Sequence, residues 1–572
     1  MAPEKFSSFL HKCTKTKAFR LGLSLHAAII KTGKQSDIFM ANHVLNFYAK
    51  SGPIECAFKM FDEMPHRNLV TWSAMISGYD QSNKPNSALI LFGRMQKQFK
   101  PNEFVFASAL SSCSSLKDLG LGQQIHAQVL KTSYISVDFV LNSLILMQMK
   151  CGMFSDALSV LTVSKPDSLS LVSYNIAITG LVENNQHAKG IEIFVVMRRQ
   201  GLVPDAFTFG GLFGDGRPVF DFSVVTQLHC QMAKLGLDRC AFSGNILIKL
   251  YSKFNLLKES ENAFRSIEKW DAISWNTAIT AFCQFDEYSK ALDVFKEMVM
   301  QNSVSPDDFT FASVLSASAG LASLRHGKEI HARLIRTGPD WDIVVQNGLI
   351  NMYAKSGSLS SAHTIFERMG ARNLVSWNTI IFAYANHGLA ENAIELFQKM
   401  TKIRLPDSIT FIGLLTACNH SGLVDVGRSV FDTMCKVYAI NPTVEHLCCL
   451  VDLLGRAGRV SEARKYMHKY CKSDDAVVLG SLLSACRLHG GLTDGEHIAE
   501  RLLELGPVTT SPYVLLSNLY ASSEKWDCVF GARKMLRFSG LKKEAAYSVS
   551  VIEVKGSVEK FTAGDFFAFE NG

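Results

Sequence analysis

Ala272-Ile-Ser-Trp-Asn276, Ala291-Leu-Asp-Val-Phe-Lys-Glu-Met298 and Ser305-Pro-Asp307 fall within one stretch of 36 residues, and that stretch decides the fold. Ile273, Trp275, Ile279 and Phe282 lie near one face of a first helix. Ala291, Leu292, Phe295 and Met298 keep the i, i+1, i+4, i+7 spacing of a second helix. Asp286 and Glu287 supply a polar connection between the two. Ser305-Pro306-Asp307 is expected to end the second helix, because proline restricts the residue before it and cannot continue the hydrogen-bond ladder. A hairpin of this size buries only part of its apolar surface by itself, so copies of it must stack.

Copies are present along the chain. Leu25-His26-Ala27, Ile125-His126-Ala127, Leu228-His229-Cys230 and Ile330-His331-Ala332 place their histidines 100, 103 and 102 residues apart. Trp72, Tyr174, Trp275 and Trp377 are separated by 102, 101 and 102, and Asn42, Asn142, Asn245 and Asn347 by 100, 103 and 102. Three unrelated residue types share one period, which chance does not produce. Each period holds three shorter units. One opens on an aromatic pattern such as Leu374-Val-Ser-Trp-Asn378, one on Phe309-Thr310-Phe311, and one closes its first helix with Tyr353-Ala-Lys-Ser-Gly357.

The bulk numbers agree with a long folded helical chain. Of 572 residues, 47% are hydrophobic and 19% charged, and only 14 are proline. That composition describes a large buried core, with few residues that break helices. The net charge of +7 permits a polyanionic partner without demanding one. Fourteen cysteines and sixteen histidines include no C-x-x-C pair, which argues against zinc. The cysteines, as in Ala417-Cys418 and Ala485-Cys486, read as small core residues of a reducing compartment. No run of 18 apolar residues suggests a membrane span.

These units resemble pentatricopeptide repeats, of the plant subclass that alternates P, L and S types. The resemblance rests on Ala272–Asn276, Ala291–Met298 and Pro306-Asp307, and covers nearly the whole chain. It implies an all-α fold, a right-handed superhelical solenoid of stacked helix-turn-helix repeats. Residues 1–37 read as an N-terminal L-type repeat overlapping a transit-peptide-like segment, and 38–475 as P, L and S repeats, making fourteen in all. Residues 476–543 resemble two degenerate hairpins called the E extension, through Gly480–His489 and Tyr513–Tyr520. Residues 544–572 read as a short truncated tail. Lys542-Lys543-Glu544 and Val551–Val554 match the segment that relatives carry after the two hairpins, whereas the usual Pro-Gly-Cys-Ser-Trp is replaced by Ala545–Val549 before the chain stops soon after Gly564-Asp565.

The resemblance implies single-stranded RNA as ligand, with one base per repeat met by two residues: the fifth of the first helix and the last before the next repeat. Asn can both donate and accept at a base edge, Asp only accepts, and Ser leaves room for a purine. The pairs are Asn42 with Asn68, Ser73 with Asn102, Asn142 with Ser170, Asn175 with Asp205, Asn245 with Asp271, Asn276 with Asp307, Asn347 with Asn373, and Asn378 with Asp407. They imply pyrimidine, A, C, U, U, U, pyrimidine and U. The L repeats offer Ala107, Gly210, Ala312 and Ile412, which read poorly, and the last S repeat departs with Cys448. The implied site is 5′-Y-A-n-C-U-n-U-U-n-Y-U-n-n. An Asn early in a helix is often a cap instead, yet the fifth place in a unit is late for one. The recurrent histidines and the aromatic residues at fourth positions are read as structural.

Some relatives end in a cytidine deaminase of the DYW type, whose zinc chemistry uses H-x-E and C-x-x-C. Neither pattern occurs in this chain. The expectation is a protein that is not an enzyme and needs no cofactor, metal, membrane or small-molecule substrate. It would recognise sites for C-to-U editing of organellar RNA, with a deaminase and accessory proteins recruited in trans through 476–572. The alternatives are a factor for RNA stability, splicing or translation, and a protein-binding helical scaffold. Between Glu4 and Asp37 the basic residues Lys5, Lys12, Lys15, Lys17, Arg20, Lys31 and Lys34 stand without an acidic one, as in a transit peptide. Yet Phe6, Leu10, Cys13 and His26 match Phe106, Leu110, Cys113 and His126 at an offset of 100, so a true leader is expected outside this segment. Family membership points to the mitochondrion first and the chloroplast second.

Overall fold

In a computed structural model of the chain, residues 3–16, 18–33, 37–163, 169–214, 221–302, 304–338, 341–470, 475–489, 492–505, 510–539, 541, 550–554 and 557–561 are described. Among them thirty-two α-helices alternate as the first and second helices of sixteen successive hairpins, from Pro3–Thr16 to Trp526–Phe538. Packing divides the chain into two compact units, Met1–Trp270 and Asp271–Gly572. Within each unit every first helix packs on the first helix of the next hairpin. Each unit is thus a solenoid of stacked hairpins, as the repeat demands.

The two helices of a hairpin differ in how they meet their surroundings. First helix Asp308–Gly320 buries Thr310, Phe311, Val314, Leu315, Ala317, Ser318 and Ala319, most of its circumference. Second helix Leu324–Thr337 buries only Gly327, Ile330 and Leu334, a single stripe. An apolar helix covered on several sides lies inside the stack, and an amphipathic one lies on its outer wall. The first helices approach closely where small residues meet. A Cβ added to Gly455 in helix Val444–Arg456 would stand 2.5 Å from Ala485 Cβ in the next first helix.

The turn inside most of the described hairpins places one residue in the left-handed region. Gly357 takes it at φ +81, while Asn185, Asn255 and Asp286 take it at φ 60, 58 and 56. Asn and Asp tolerate this region better than other side chains. The same property corrects one expectation from the sequence. The second helix of the 272–307 unit does not run to Ser305-Pro306; it spans Tyr288–Gln301 and ends on Asn302, left-handed at φ 48. A left-handed Asn closes a helix end by itself, so Pro306 lies in the connection beyond.

The aromatic residues at fourth positions are core: Trp72, Tyr174, Trp275 and Trp377 are all buried. The recurrent histidines are structural. His26, His229 and His331 bond through Nδ1 to Tyr48, Tyr251 and Tyr353 at 2.8, 2.5 and 2.7 Å, tying the second helix of each of these three L repeats to the next first helix. The cysteines follow expectation only in part. Cys13, Cys113, Cys418 and Cys486 are buried, but Cys56, Cys230, Cys240 and Cys528 are exposed, because they fall on the outward faces of helices or at helix ends.

After the last helix of the second unit, Ser550–Val554 and Ser557–Phe561 pair as two antiparallel strands, with Ser550 opposite Phe561 and Val554 opposite Ser557. The all-α expectation holds for the solenoid and misses this hairpin. Its signal is Val551, Ile552 and Val554 before Lys555-Gly556, with Val558 and Phe561 after it. Lys17, Lys34, Lys542–Glu544, Ala545–Val549 and Gly564-Asp565, singled out in the sequence, lie outside the described residues.

One buried group links the fold to pH. His446 is fully buried at the third position of helix Val444–Arg456. Its Nδ1 accepts from the Thr443 backbone N–H at 3.2 Å, and its Nε2 donates to the Ser408 carbonyl at 2.9 Å. That arrangement requires a neutral ring, and burial holds its pKa below the usual 6.5. Below pH 6.5 the unfolded chain therefore binds the extra proton first, and stability falls as pH drops towards the folded pKa. The melting temperature should hold above pH 6.5 and decline below it. The decline should be shallower in His446→Ser, since Ser fills the same place at Ser274 and Ser376.

Candidate nucleic-acid interface

The last residue of a repeat is the N-cap of the next first helix. Asn68, Asn102, Asp205, Asp271, Asp307, Asn373 and Asp407 each accept, through Oδ1, the backbone N–H three residues on. This satisfies one of the free donors at a helix start. Ser170 holds the same cap position without such a bond. The cap commits one terminal oxygen and leaves the other atom, Oδ2 of Asp or Nδ2 of Asn, uncommitted by it.

The other member of each pair is the fifth residue of the preceding first helix and caps nothing. Asn42, Ser73, Asn142 and Asn175 stand fifth in the helices beginning at Ile38, Leu69, Asp138 and Leu171. Asn245, Asn276, Asn347 and Asn378 stand fifth after Ala241, Ala272, Ile343 and Leu374. In four repeats the two members touch. The Nδ2 of Asn42, Asn175, Asn276 and Asn378 donates to Oδ1 of Asn68, Asp205, Asp307 and Asp407 at 3.2, 3.1, 3.0 and 3.0 Å.

A third residue orients these amides. Thr71, Thr208, Thr310 and Thr410, at the third position of the following helix, donate their hydroxyls to Oδ1 of the same four Asn at 2.7, 2.7, 2.6 and 2.7 Å. Ser173 does so to Asn142 at 2.7 Å, and Ser170 contacts the Ser173 hydroxyl at 3.2 Å. These hydroxyl-bearing residues are fully buried, so the bonds form away from competing water. The fifth Asn thus offers a base one N–H and one lone pair, not its full capacity. Three pairs lack this arrangement. Val105 has no hydroxyl beside Ser73 and Asn102, and Asn245 Oδ1 and Asn347 Oδ1 are buried without a partner while Ser274 and Ser376 bond Asp271 and Asn373 at 2.8 and 2.9 Å. Asp307 stays ionised. Burial alone would raise its pKa, but its bonds to Thr310, Asn276 and the backbone outweigh that and hold it below the ordinary carboxylate value.

The sequence did not assign the residues that flank these pairs, and Ile273, read there as sharing a face with Trp275, Ile279 and Phe282, is exposed while those three are buried, because it stands second in its helix. The second residue of nearly every first helix is apolar and exposed: Phe39, Val70, Phe104, Phe139, Val172, Phe207 and Phe242 in the first unit, and Ile273, Phe309, Val344, Val375 and Ile409 in the second. Single exposed apolar residues are ordinary, but one per repeat at a fixed helical position is a surface built for a partner. Within each unit a pair stands between two of them in register. A groove of about 770 Å³ holds Asn175 and Asp205 between Val172 and Phe207. Another, of about 730 Å³, holds Asn378 and Asp407 between Val375 and Ile409. Lys50, Lys150, Lys253 and Lys355 stand thirteenth in their first helices, exposed at the far end of the same elements. Among the described residues, no group of three or more His, Cys, Asp or Glu is placed to hold a metal, and no helix is long and apolar enough to cross a membrane.

Known proteins share this architecture. The profile described as PPR repeat matches residues 39–69, 70–98 and 347–374, and that of the PPR repeat family matches 169–215, 270–319 and 372–420. The profile described as E motif matches 489–553. A pentatricopeptide repeat-containing protein of Arabidopsis thaliana is 34% identical over 564 residues, covering 98% of this chain and 79% of the relative. A second from the same plant, named mitochondrial, is 34% identical over 568 residues, covering 98% and 73%. The crystal structure of the pentatricopeptide repeat protein PPR10 in complex with an 18-nt psaJ RNA element shares the fold. Its TM-score is 0.55 at 17% identity, over 95% of this chain and 80% of that one. Repeat geometry, profile matches and relatives over nearly full length agree: the chain belongs to the pentatricopeptide repeat protein family and carries an E extension.

Proposed function

We propose that this protein binds single-stranded RNA one base per repeat and marks sites for C-to-U editing in a plant organelle. The observation that carries the first half is the oriented Asn–Asp or Asn–Asn pair set between two exposed apolar residues. A flat base fits between the apolar residues, and its edge meets the pair. Because the cap holds Oδ1, Asp presents Oδ2 and accepts a hydrogen bond from the base, whereas Asn presents Nδ2 and donates one. Asp205, Asp271, Asp307 and Asp407 then favour uracil, whose ring nitrogen carries hydrogen. Asn68 and Asn373 favour a pyrimidine, and by the same logic the cytosine ring acceptor. Ser73 leaves room for a purine, with Asn102 donating to adenine. Asn142 with Ser170 takes cytosine on the family resemblance. Lys50, Lys150, Lys253 and Lys355 would contribute to the phosphate backbone without sequence preference.

The match to the E motif supports the second half, with deamination performed by a cytidine deaminase and accessory proteins held through residues 476–572. Relatives named mitochondrial and chloroplastic support an organellar location, with the mitochondrion as the first reading.

RNA of the form 5′-Y-A-n-C-U-n-U-U-n-Y-U-n-n tests the reading base by base. Asp307→Asn should move the preference at the eighth nucleotide from U to C by about tenfold, within the range of a single mismatch. Folding is spared, since Asn caps the equivalent helices at Asn68 and Asn373. An unchanged preference would refute the assignment. Thr310→Val should weaken discrimination at that nucleotide alone, because the Asn276 amide is no longer held, while Thr310→Ser restores it. Deleting 476–572 should abolish editing and leave RNA affinity within about twofold; editing that survives the deletion would remove the recruitment role.

A further inference from the structure

Two slots on the reading face are filled by the protein itself. Phe104 and Phe139, the second residues of consecutive first helices, stack with ring centroids 5.3 Å apart and planes 24° from parallel. Phe207 and Phe242 repeat the contact one period later, at 5.1 Å and 42°. The slot between Phe104 and Phe139 belongs to Ala107, and that between Phe207 and Phe242 to Gly210, the fifth residues of two L repeats. A stacked base occupies about 3.4 Å along its strand, so inserting one requires roughly 7 Å between the flanking groups. The rings are in contact instead. At Gly210 the ring of Phe242 also covers the fifth position, where an added Cβ would stand 3.0 Å from Phe242 Cε1.

We infer that the L repeats of Ala107 and Gly210 exclude their nucleotide, so the third and sixth bases of the site are turned out of the protein. This rests on the base-by-base reading proposed above. Opening a slot would break a favourable ring–ring contact, and neither Ala107 nor Gly210 has a polar side chain to offer a base in exchange. The neighbouring slot of Asn175 differs on both counts: the residue across from Phe207 is Val172, which brings no second ring, and Asn175 and Asp205 supply the polar edge. In the third period the partner of Phe309 is Val344, so no second ring closes that slot. The exclusion is thus a property of two L repeats and not of the type.

An abasic scan of the 13-nucleotide RNA against the full chain tests this. Loss of the base at the fifth nucleotide, facing Asn175 and Asp205, should weaken binding about tenfold, the scale of one stacked base. Loss at the third or sixth should change affinity by less than about twofold, as expected for a base that makes no stack. In Phe242→Val, which gives the sixth slot the residue type of Val344, an abasic sixth nucleotide should become costly. Phe242 is exposed, so this variant keeps its core. A penalty at the sixth nucleotide equal to that at the fifth in the unaltered protein would overturn the inference. So would a Phe242→Val protein that still ignores the sixth base. If removal of the fifth base also costs nothing, the base-by-base reading fails, and the exclusion fails with it.

Discussion

Most junctions between repeats depend on one interaction, the carboxylate or amide oxygen that caps the following first helix. A first helix starts with donors that have no partner inside it, and the residue ending the previous repeat supplies one. That requirement fixes the backbone at the junction, so it fixes where consecutive first helices lie. It also divides the capping side chain into a committed atom and a free one. The free atom differs between Asp and Asn in the one property that separates uracil from cytosine. Stability and recognition therefore share a residue without conflict, because Asp and Asn cap about equally well. The reading can change from repeat to repeat while the scaffold does not.

The buried Ser and Thr hydroxyls extend this arrangement. Each ties the fifth Asn of one repeat to the helix start of the next, at 2.6 to 2.7 Å. The amide cannot turn freely between donor and acceptor orientations, so under the proposed reading a base would meet a prepared edge. Preparation of this kind lowers the ordering cost of binding. Where the hydroxyl is absent, at Val105, or engaged elsewhere, at Ser376, the neighbouring pair is less constrained.

Much of this was legible in the sequence because repetition averages out local ambiguity. The 102-residue period placed the hairpins up to residue 475, and the family resemblance singled out the fifth and last residues, whose numbers then followed from register. What periodicity does not separate is two apolar residues close together near a helix start. Phe309 and Phe311 read as one hydrophobic signature, yet they lie two positions apart on a helix and point to different sides. Phe311 is 3% exposed and packs in the core; Phe309 is 75% exposed on the open face. The ring pairs that close two slots belong to the second kind and need coordinates to see. The hydroxyl bonds were hidden because Thr310 beside two phenylalanines reads as filler. The left-handed Asn302 was overlooked because Pro306 offered a stronger local stop, and the strand pair of 550–561 because the helical signal of the rest dominated expectation.

Selection from a random RNA pool by the full-length protein measures most directly whether the ordered pairs choose the RNA. The enriched sequences should align to C, U, U, U and U at the fourth, fifth, seventh, eighth and eleventh positions of one 13-nucleotide window. The third and sixth positions should carry no preference. Enrichment of an unrelated motif, or recovery of RNA without any preferred sequence, would contradict base-by-base reading by the pairs.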